Sequence, residues 1–223
     1  MRYLSVPLLI FTFISCNKKT AESTPEIFSE ATYKMTVTVN WVSPQFTVPA
    51  GAHVTTITGM VHSKDTFLWK PGGFATKGLE DVAEVGNTVK MSAEIDAVIS
   101  NKKALYKFLI SPPSVTGTSQ SALSLNTNYP LISFASMIAP SPDWFMGIHD
   151  VNLYENNKWK DELTVNIFTY DAGTEDGNVF GYDNPDTFPQ QPIILLTPSI
   201  ASVLANGNTS IGPMATVKFT KIN

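Results

Sequence analysis

Apolar and polar residues alternate strictly near the start of the chain. Tyr33, Met35, Val37, Val39 and Trp41 occupy one set of positions, and Lys34, Thr36, Thr38 and Asn40 the other. A period of two places five large apolar groups on one face of a β-strand and four polar groups on the opposite face. Ala215, Val217 and Phe219 repeat the pattern against Thr216, Lys218 and Thr220, predicting a strand over Ala215–Ile222. Further β-like runs span His53–Val61, Leu105–Ile110, Ser121–Leu125, Leu131–Met137, Leu163–Tyr170 and Ile193–Leu196. Turn residues separate most of them, as in Ser111-Pro112-Pro113 and Asn206-Gly207-Asn208. Two short segments read as helices, Leu79–Val85 and Ala93–Ser100, the second from the helical spacing of Ile95, Val98 and Ile99. Many short strands and few helices predict a mainly β fold, an antiparallel β-sandwich, with the helices expected at one end of it. No repeat of fixed period interrupts this, and one domain is expected over residues 32–223.

Charge narrows the functional classes. Charged residues make up 15% of the chain, the formal net charge is −4, and no basic stripe offers a footprint for nucleic acid. The single cysteine, Cys16, excludes an internal disulfide and a cysteine-based zinc site. Its position gives it another role. Arg2 precedes a mostly apolar run, Tyr3–Ile14, too short for the roughly 20 residues that a spanning helix needs. The ending Phe13-Ile14-Ser15-Cys16 resembles a bacterial lipoprotein signal, although Phe13 stands where that signal usually has Leu. The resemblance implies removal of residues 1–15 and lipidation of Cys16. Each buried acyl CH₂ contributes about 0.8 kcal/mol, so the expected partner is a membrane and the expected location extracytoplasmic, periplasmic or at the cell surface. Residues 16–31, polar after the cysteine, read as a flexible tether.

Two segments concentrate acidic residues beside proline and glycine: Pro140-Ser141-Pro142-Asp143-Trp144-Phe145-Met146-Gly147 and Tyr170-Asp171-Ala172-Gly173-Thr174-Glu175-Asp176-Gly177. Asp171 and Glu175 are four apart, with Gly173 between them to let the backbone fold back. Calcium takes six to eight hard oxygens from carboxylates, carbonyls and water. Carboxylates that converge without a cation repel one another and rise in pKa. The spacing is not that of an EF-hand, and on spacing alone an Asp-Gly-rich loop is more often a solvated turn than a metal site.

These two segments resemble the signatures of the spondin N-terminal domain family, known from F-spondin and mindin. The order of other motifs agrees: the opening strand ending in Asn40-Trp41, His53…Gly59…His62-Ser63-Lys64…Leu68-Trp69…Gly72-Gly73-Phe74-Ala75…Gly78, Ala83-Glu84-Val85-Gly86 and Met91-Ser92-Ala93-Glu94-Ile95. The resemblance implies a β-sandwich akin to calcium-dependent lipid-binding sandwich domains, with one Ca²⁺ between loops at one end. Its implied ligands are Asp143, Asp171 and Glu175. Glu175 stands where familiar members have Asp, and Asp176 next to it is an alternative. The expected function is non-enzymatic: a calcium-binding adhesion or recognition module for a glycan, protein or lipid headgroup. The alternatives are a carbohydrate-active hydrolase using the acidic loops, or a purely structural envelope domain.

Other chemistry finds little support. His53, His62 and His149 lack zinc spacing, and no Gly-x-Ser-x-Gly elbow is present. His62 and Asp65 read as part of a turn network near Trp69 rather than as an acid–base pair. Of the four tryptophans, Trp144 is placed to buttress Asp143, and Trp159, in a polar stretch, is expected to be the most exposed.

Overall fold

The computed structural model describes residues 28–223. The leader-like residues 1–15, Cys16 and most of the tether-like segment lie outside the described residues. The elements are, in order, β1 (Glu30–Val39), β2 (His53–Val54), β3 (Ile57–His62), α1 (Lys77–Val85), α2 (Val89–Ser100), β4 (Ala104–Ile110), β5 (Thr118–Asn126), β6 (Leu131–Ala139), β7 (Trp144–Asn152), β8 (Tyr154–Glu155), β9 (Lys158–Trp159), β10 (Glu162–Asp171), β11 (Ile194–Leu195), α3 (Ser202–Ala205) and β12 (Ala215–Lys221). The fold is mainly antiparallel β. The first strand begins at Glu30, where it already pairs with Asn126.

The main sheet runs β4-β3-β6-β7-β10-β12-β1-β5. Strand β10 belongs to two neighbourhoods. Its first part, Glu162–Ile167, pairs with β12, and its last part, Phe168–Asp171, pairs with β7. The sheet therefore doubles over along β10 into two layers. The edge strands β4 and β5 come back together, and the Ser124 amide donates to the Tyr106 hydroxyl across the seam at 2.8 Å. The sheet is thus nearly closed.

The alternating face of β1 explains the interior. Tyr33, Met35, Val37 and Val39 point inward with Val217 and Phe219 of β12, against Ile132, Phe134, Trp144 and Met146 of the other layer. That other layer is covered on its outer side as well. Leu79, Val82 and Ala83 of α1 and Met91 and Ile95 of α2 pack with Met60, Ala135 and Phe145. All of β6 is buried as a result. The helices thus lie on the outer face of the sheet and not at its end, because α1 presents a continuous apolar stripe that needs a broad surface to cover it. Thr76 caps α1 by accepting from the Leu79 amide at 3.2 Å, and Gly86, at φ 67°, ends it.

Trp159 is the most exposed of the four tryptophans, as its polar stretch predicts, since Trp41, Trp69 and Trp144 are buried. Trp159 is half-buried: it sits in the small β8–β9 hairpin, packs on Tyr33 and Tyr154, and donates from Nε1 to the Ser29 hydroxyl at 3.0 Å. An indole beside a tyrosine at a sheet end buries more apolar area than its polar sequence neighbours suggest. His62 and Asp65 share a turn through Ser63, and His62 also reaches beyond it. It is fully buried, with Nδ1 2.8 Å from the Ser63 carbonyl and Nε2 2.8 Å from the Ser133 hydroxyl, which accepts from the Asp150 amide. Asp65 binds the same Ser63, its backbone amide donating to the hydroxyl.

Candidate metal centre

Asp143 stands in the turn between β6 and β7, and the 171–177 loop runs beside it. Here Ser141 and Asp143 are fully buried. The Ser141 hydroxyl accepts from the Trp144 amide at 3.3 Å, closing a turn that Pro142 stiffens, and β7 starts at once. Trp144 enters the core edge-on to Phe180 and pins the residue before it. Asp171, at the end of β10, lies directly across from Trp144. The Ala172 amide donates to the Asp143 carbonyl at 3.2 Å, so backbone and register together bring the two loops side by side.

The 171–177 loop is laced to the 185–191 segment. Gln191 donates to the Gly173 carbonyl, Asp176 to that of Pro185 and Thr187 to that of Thr174. Gly173 has φ +74°, and a Cβ there would collide with the Gln191 carbonyl, so only glycine fits on both counts. This bend turns three donors onto Asp143. Its Oδ2 accepts from the Thr174 amide at 2.7 Å, the Thr174 hydroxyl at 3.2 Å and the Glu175 amide at 3.2 Å. Its Oδ1 is buried and has no partner, and neither has Oε2 of Glu175.

The electrostatics follow from this burial. Desolvation raises Asp143, although its three donors oppose the rise. Asp171 is pushed up to about 7, first by burial and then by the charge of Asp143. Glu175 is likewise pushed up to about 7, by burial and then by Glu84 and Asp143. These are carboxylates short of both water and counter-charge. Their oxygens are the hard donors that calcium prefers, and the two orphaned oxygens fit a cation that would complete them. As they stand, no three His, Cys, Asp or Glu side chains among the described residues are gathered closely enough to hold a metal ion. Asp176 is exposed and accepts from the Thr187 hydroxyl, and its charge adds to the rise of Asp171.

One residue escaped sequence reasoning. Glu84, near the end of α1, is half-buried, and burial raises its carboxyl while the Thr174 hydroxyl opposes the rise. On sequence it reads as one more acid on the polar side of an amphipathic helix. Beside the loops an open groove of about 350 Å³ is lined by Lys77, Glu80, Thr174, Asp186, Phe188 and Gln190. Phe188 at its rim is 96% exposed.

Fold and site together define a class: an antiparallel β domain that buries converging carboxylates on loops at one end. The Spondin_N family model matches residues 31–207, and the chain belongs to this family. It is 32% identical over 206 residues to rat spondin-2, covering 86% of the chain and 62% of that protein, and 31% identical over 185 residues to human spondin-2, covering 79% and 55%. It is also 33% identical over 176 residues to chicken spondin-1, covering 75% of the chain and 22% of that protein. The chain therefore spans under two thirds of the length of these relatives.

Proposed function

We propose that this is a calcium-binding, non-enzymatic recognition module, displayed outside the cytoplasm and held to a membrane through lipidated Cys16. The observation that carries the reading is Asp143: a fully buried carboxylate with one oxygen unpartnered, set among Asp171 and Glu175. Asp143, Asp171 and Glu175 would hold the ion, and its charge would offset their mutual repulsion. The ion would tie the 140–143 turn to the 171–177 loop and so fix the loops that border the groove. The groove and the exposed Phe188 support a recognition role, with a glycan, a protein or a lipid headgroup as the ligand class.

Binding to the native state alone stabilises it by about 2.7 kcal/mol at a hundredfold excess over Kd. Extracellular modules often bind calcium at about 10⁻⁴–10⁻³ M. Millimolar calcium should therefore raise the melting temperature, and a chelator should lower it. Asp143→Asn and Asp171→Asn should each remove most of the shift. A melting temperature indifferent to both calcium and chelator would sink this site. The anchor has its own test: Cys16→Ala should move the protein from the membrane fraction to the soluble one.

A further inference from the structure

The strand registers gather one set of loops at the end of the sheet where β1 starts. Glu30 lies opposite Asn126 there, and Tyr33 pairs with Lys221 of β12. His62 pairs with both Ala104 and Leu131, and Leu131 with Asn152. Hydrogen bonds knit the segments between these strand ends. The Thr127 amide donates to the Ser29 carbonyl, the Lys221 amide to that of Asp161, and the Tyr129 hydroxyl to that of Lys102 at 3.0 Å. Asp143 and Asp171 lie at the opposite end of β7 and β10.

The two ends differ in charge. The far segments 40–56, 111–117, 140–143 and 172–214 carry Asp143, Glu175, Asp176, Asp183 and Asp186 and no lysine or arginine. The near end carries Lys64, Lys102, Lys103, Lys158 and Lys221, none of them in a salt bridge among the described residues. Single acids, Glu30, Asp65, Asp150 and Asp161, lie among them, and Asp150 sits 3.7 Å from both His62 and His149. The molecule is therefore polarised along its strands. An open groove of about 460 Å³ at the near end is lined by Lys64, Phe67, Lys70, Leu131 and Asp150. The Lys70 ammonium lies over the Phe67 ring, 4.5 Å from its centroid.

Apolar side chains stand out at the same end. Phe28 is 58% exposed, Ile222 57% and Phe67 51%. Exposed rings and aliphatic groups among free lysines suit a lipid interface: the apolar groups enter the headgroup zone and the ammonium groups meet phosphates. Phe28 is the twelfth residue after Cys16, so at most about 40 Å of extended chain separates them.

We propose that this end of the domain seats on an anionic lipid surface, with Lys64, Lys70, Lys102 and Lys103 on headgroup phosphates and Phe28, Phe67 and Ile222 in the interface. The acidic loops then point away from the membrane, where like charge also holds them. The proposal rests on the anchor reading above and gives the anchored domain an orientation.

The test uses the mature chain, residues 16–223, with Cys16→Ala, which bears no acyl chain and no other cysteine. It should co-sediment with phosphatidylcholine vesicles that contain phosphatidylglycerol and not with phosphatidylcholine alone. Each lysine near an anionic surface contributes about fivefold in partitioning. Lys64→Gln/Lys102→Gln/Lys103→Gln should therefore weaken binding on the order of a hundredfold. Lys77→Gln/Lys90→Gln/Lys107→Gln removes the same charge from paired lysines elsewhere and should weaken it less than about fivefold. An environment-sensitive dye on Asn128→Cys, at the near end, should respond to the anionic vesicles, and the same dye on Asn178→Cys should not. No preference for anionic vesicles, equal losses in the two triple variants, or a response from Asn178→Cys alone would overturn the proposal. Binding to soluble polyglutamate but to neither vesicle would overturn it in favour of an acidic protein. Fractionation of wild type against Cys16→Ala reports on the anchor separately, so either reading can fail without the other.

Discussion

The β6–β7 hairpin buries a polar cluster at each end, and the two are built on opposite principles. At the open end, His62 places both ring nitrogens on partners and Ser133 joins it to the Asp150 amide. At the turn end, Asp143 satisfies one oxygen three times over and leaves the other with nothing. Buried polar groups ordinarily find partners, because an unpaired one costs about 1–3 kcal/mol. The His62 cluster obeys that rule and acts as a joint between β3, β6 and β7. The Asp143 cluster breaks it, and that orphaned oxygen is what supports the proposed cation site.

Substitutions should separate the two ends. The largest effect is expected from Gly173→Val, which forces a β-branched residue to φ +74° against the Gln191 carbonyl. It should cost about 3 kcal/mol and abolish the calcium-induced rise in melting temperature. Next is Ser133→Ala, which strands His62 and the Asp150 amide together. It should cost about 1–3 kcal/mol, equally with and without calcium. Chemical denaturation measures both. Asp143→Asn should behave oppositely, changing calcium-free stability by roughly 0–1 kcal/mol while removing the calcium response. If Asp143→Asn destabilised the calcium-free protein as much as Ser133→Ala does, the contrast between joint and site would fail.

Acidity gives a smaller and graded test. Asp171 and Glu175 titrate near 7 in the folded chain, above their ordinary values of 3.8 and 4.5. The native state thus holds protons that the unfolded chain releases. Their contribution is fully present below about pH 4 and is lost as pH rises through about 7. Calcium-free wild type should lose stability between about pH 4 and about pH 7 relative to the Asp171→Asn/Glu175→Gln double variant. His62 works the other way. Burial lowers its pKa, so the unfolded chain gains a proton that the native state refuses once pH falls below about 6.5. Thermal melts across pH resolve the two limbs. The smallest effect belongs to Asp176→Asn, an exposed residue facing Thr187, which should shift stability by less than about 0.5 kcal/mol and leave calcium binding unchanged.

What the sequence reveals follows from which faces are wet. Strand β1 has one face toward the core and one less buried, so its alternation is plain in Tyr33–Trp41. Strand β7 starts with both faces buried, and Trp144-Phe145-Met146 shows no alternation to read. Beside Pro140 and Pro142 it looks like the end of a loop. The helices were legible from their spacing, but their seat on the outer face of the sheet depends on Met60, Ala135 and Phe145, which are far away in sequence. Asp143 and Asp171 stood out only through their motifs, since spacing alone suits a solvated turn. Glu84 was hidden for a different reason: its burial shows only once α1 is seated on the sheet.

The position of β1 has a mechanical meaning. The strand lies inside the sheet, hydrogen-bonded to β5 along one side and to β12 along the other, and its first residues face the last residues of both neighbours. A pull on the chain ahead of Glu30 directed along the strand therefore loads two antiparallel ladders in shear. It cannot peel one bond at a time from an edge. The entry point of tension is among the most firmly seated parts of the fold, and force arriving there is shared by the whole rear layer before it reaches β10 and the acidic loops at its end.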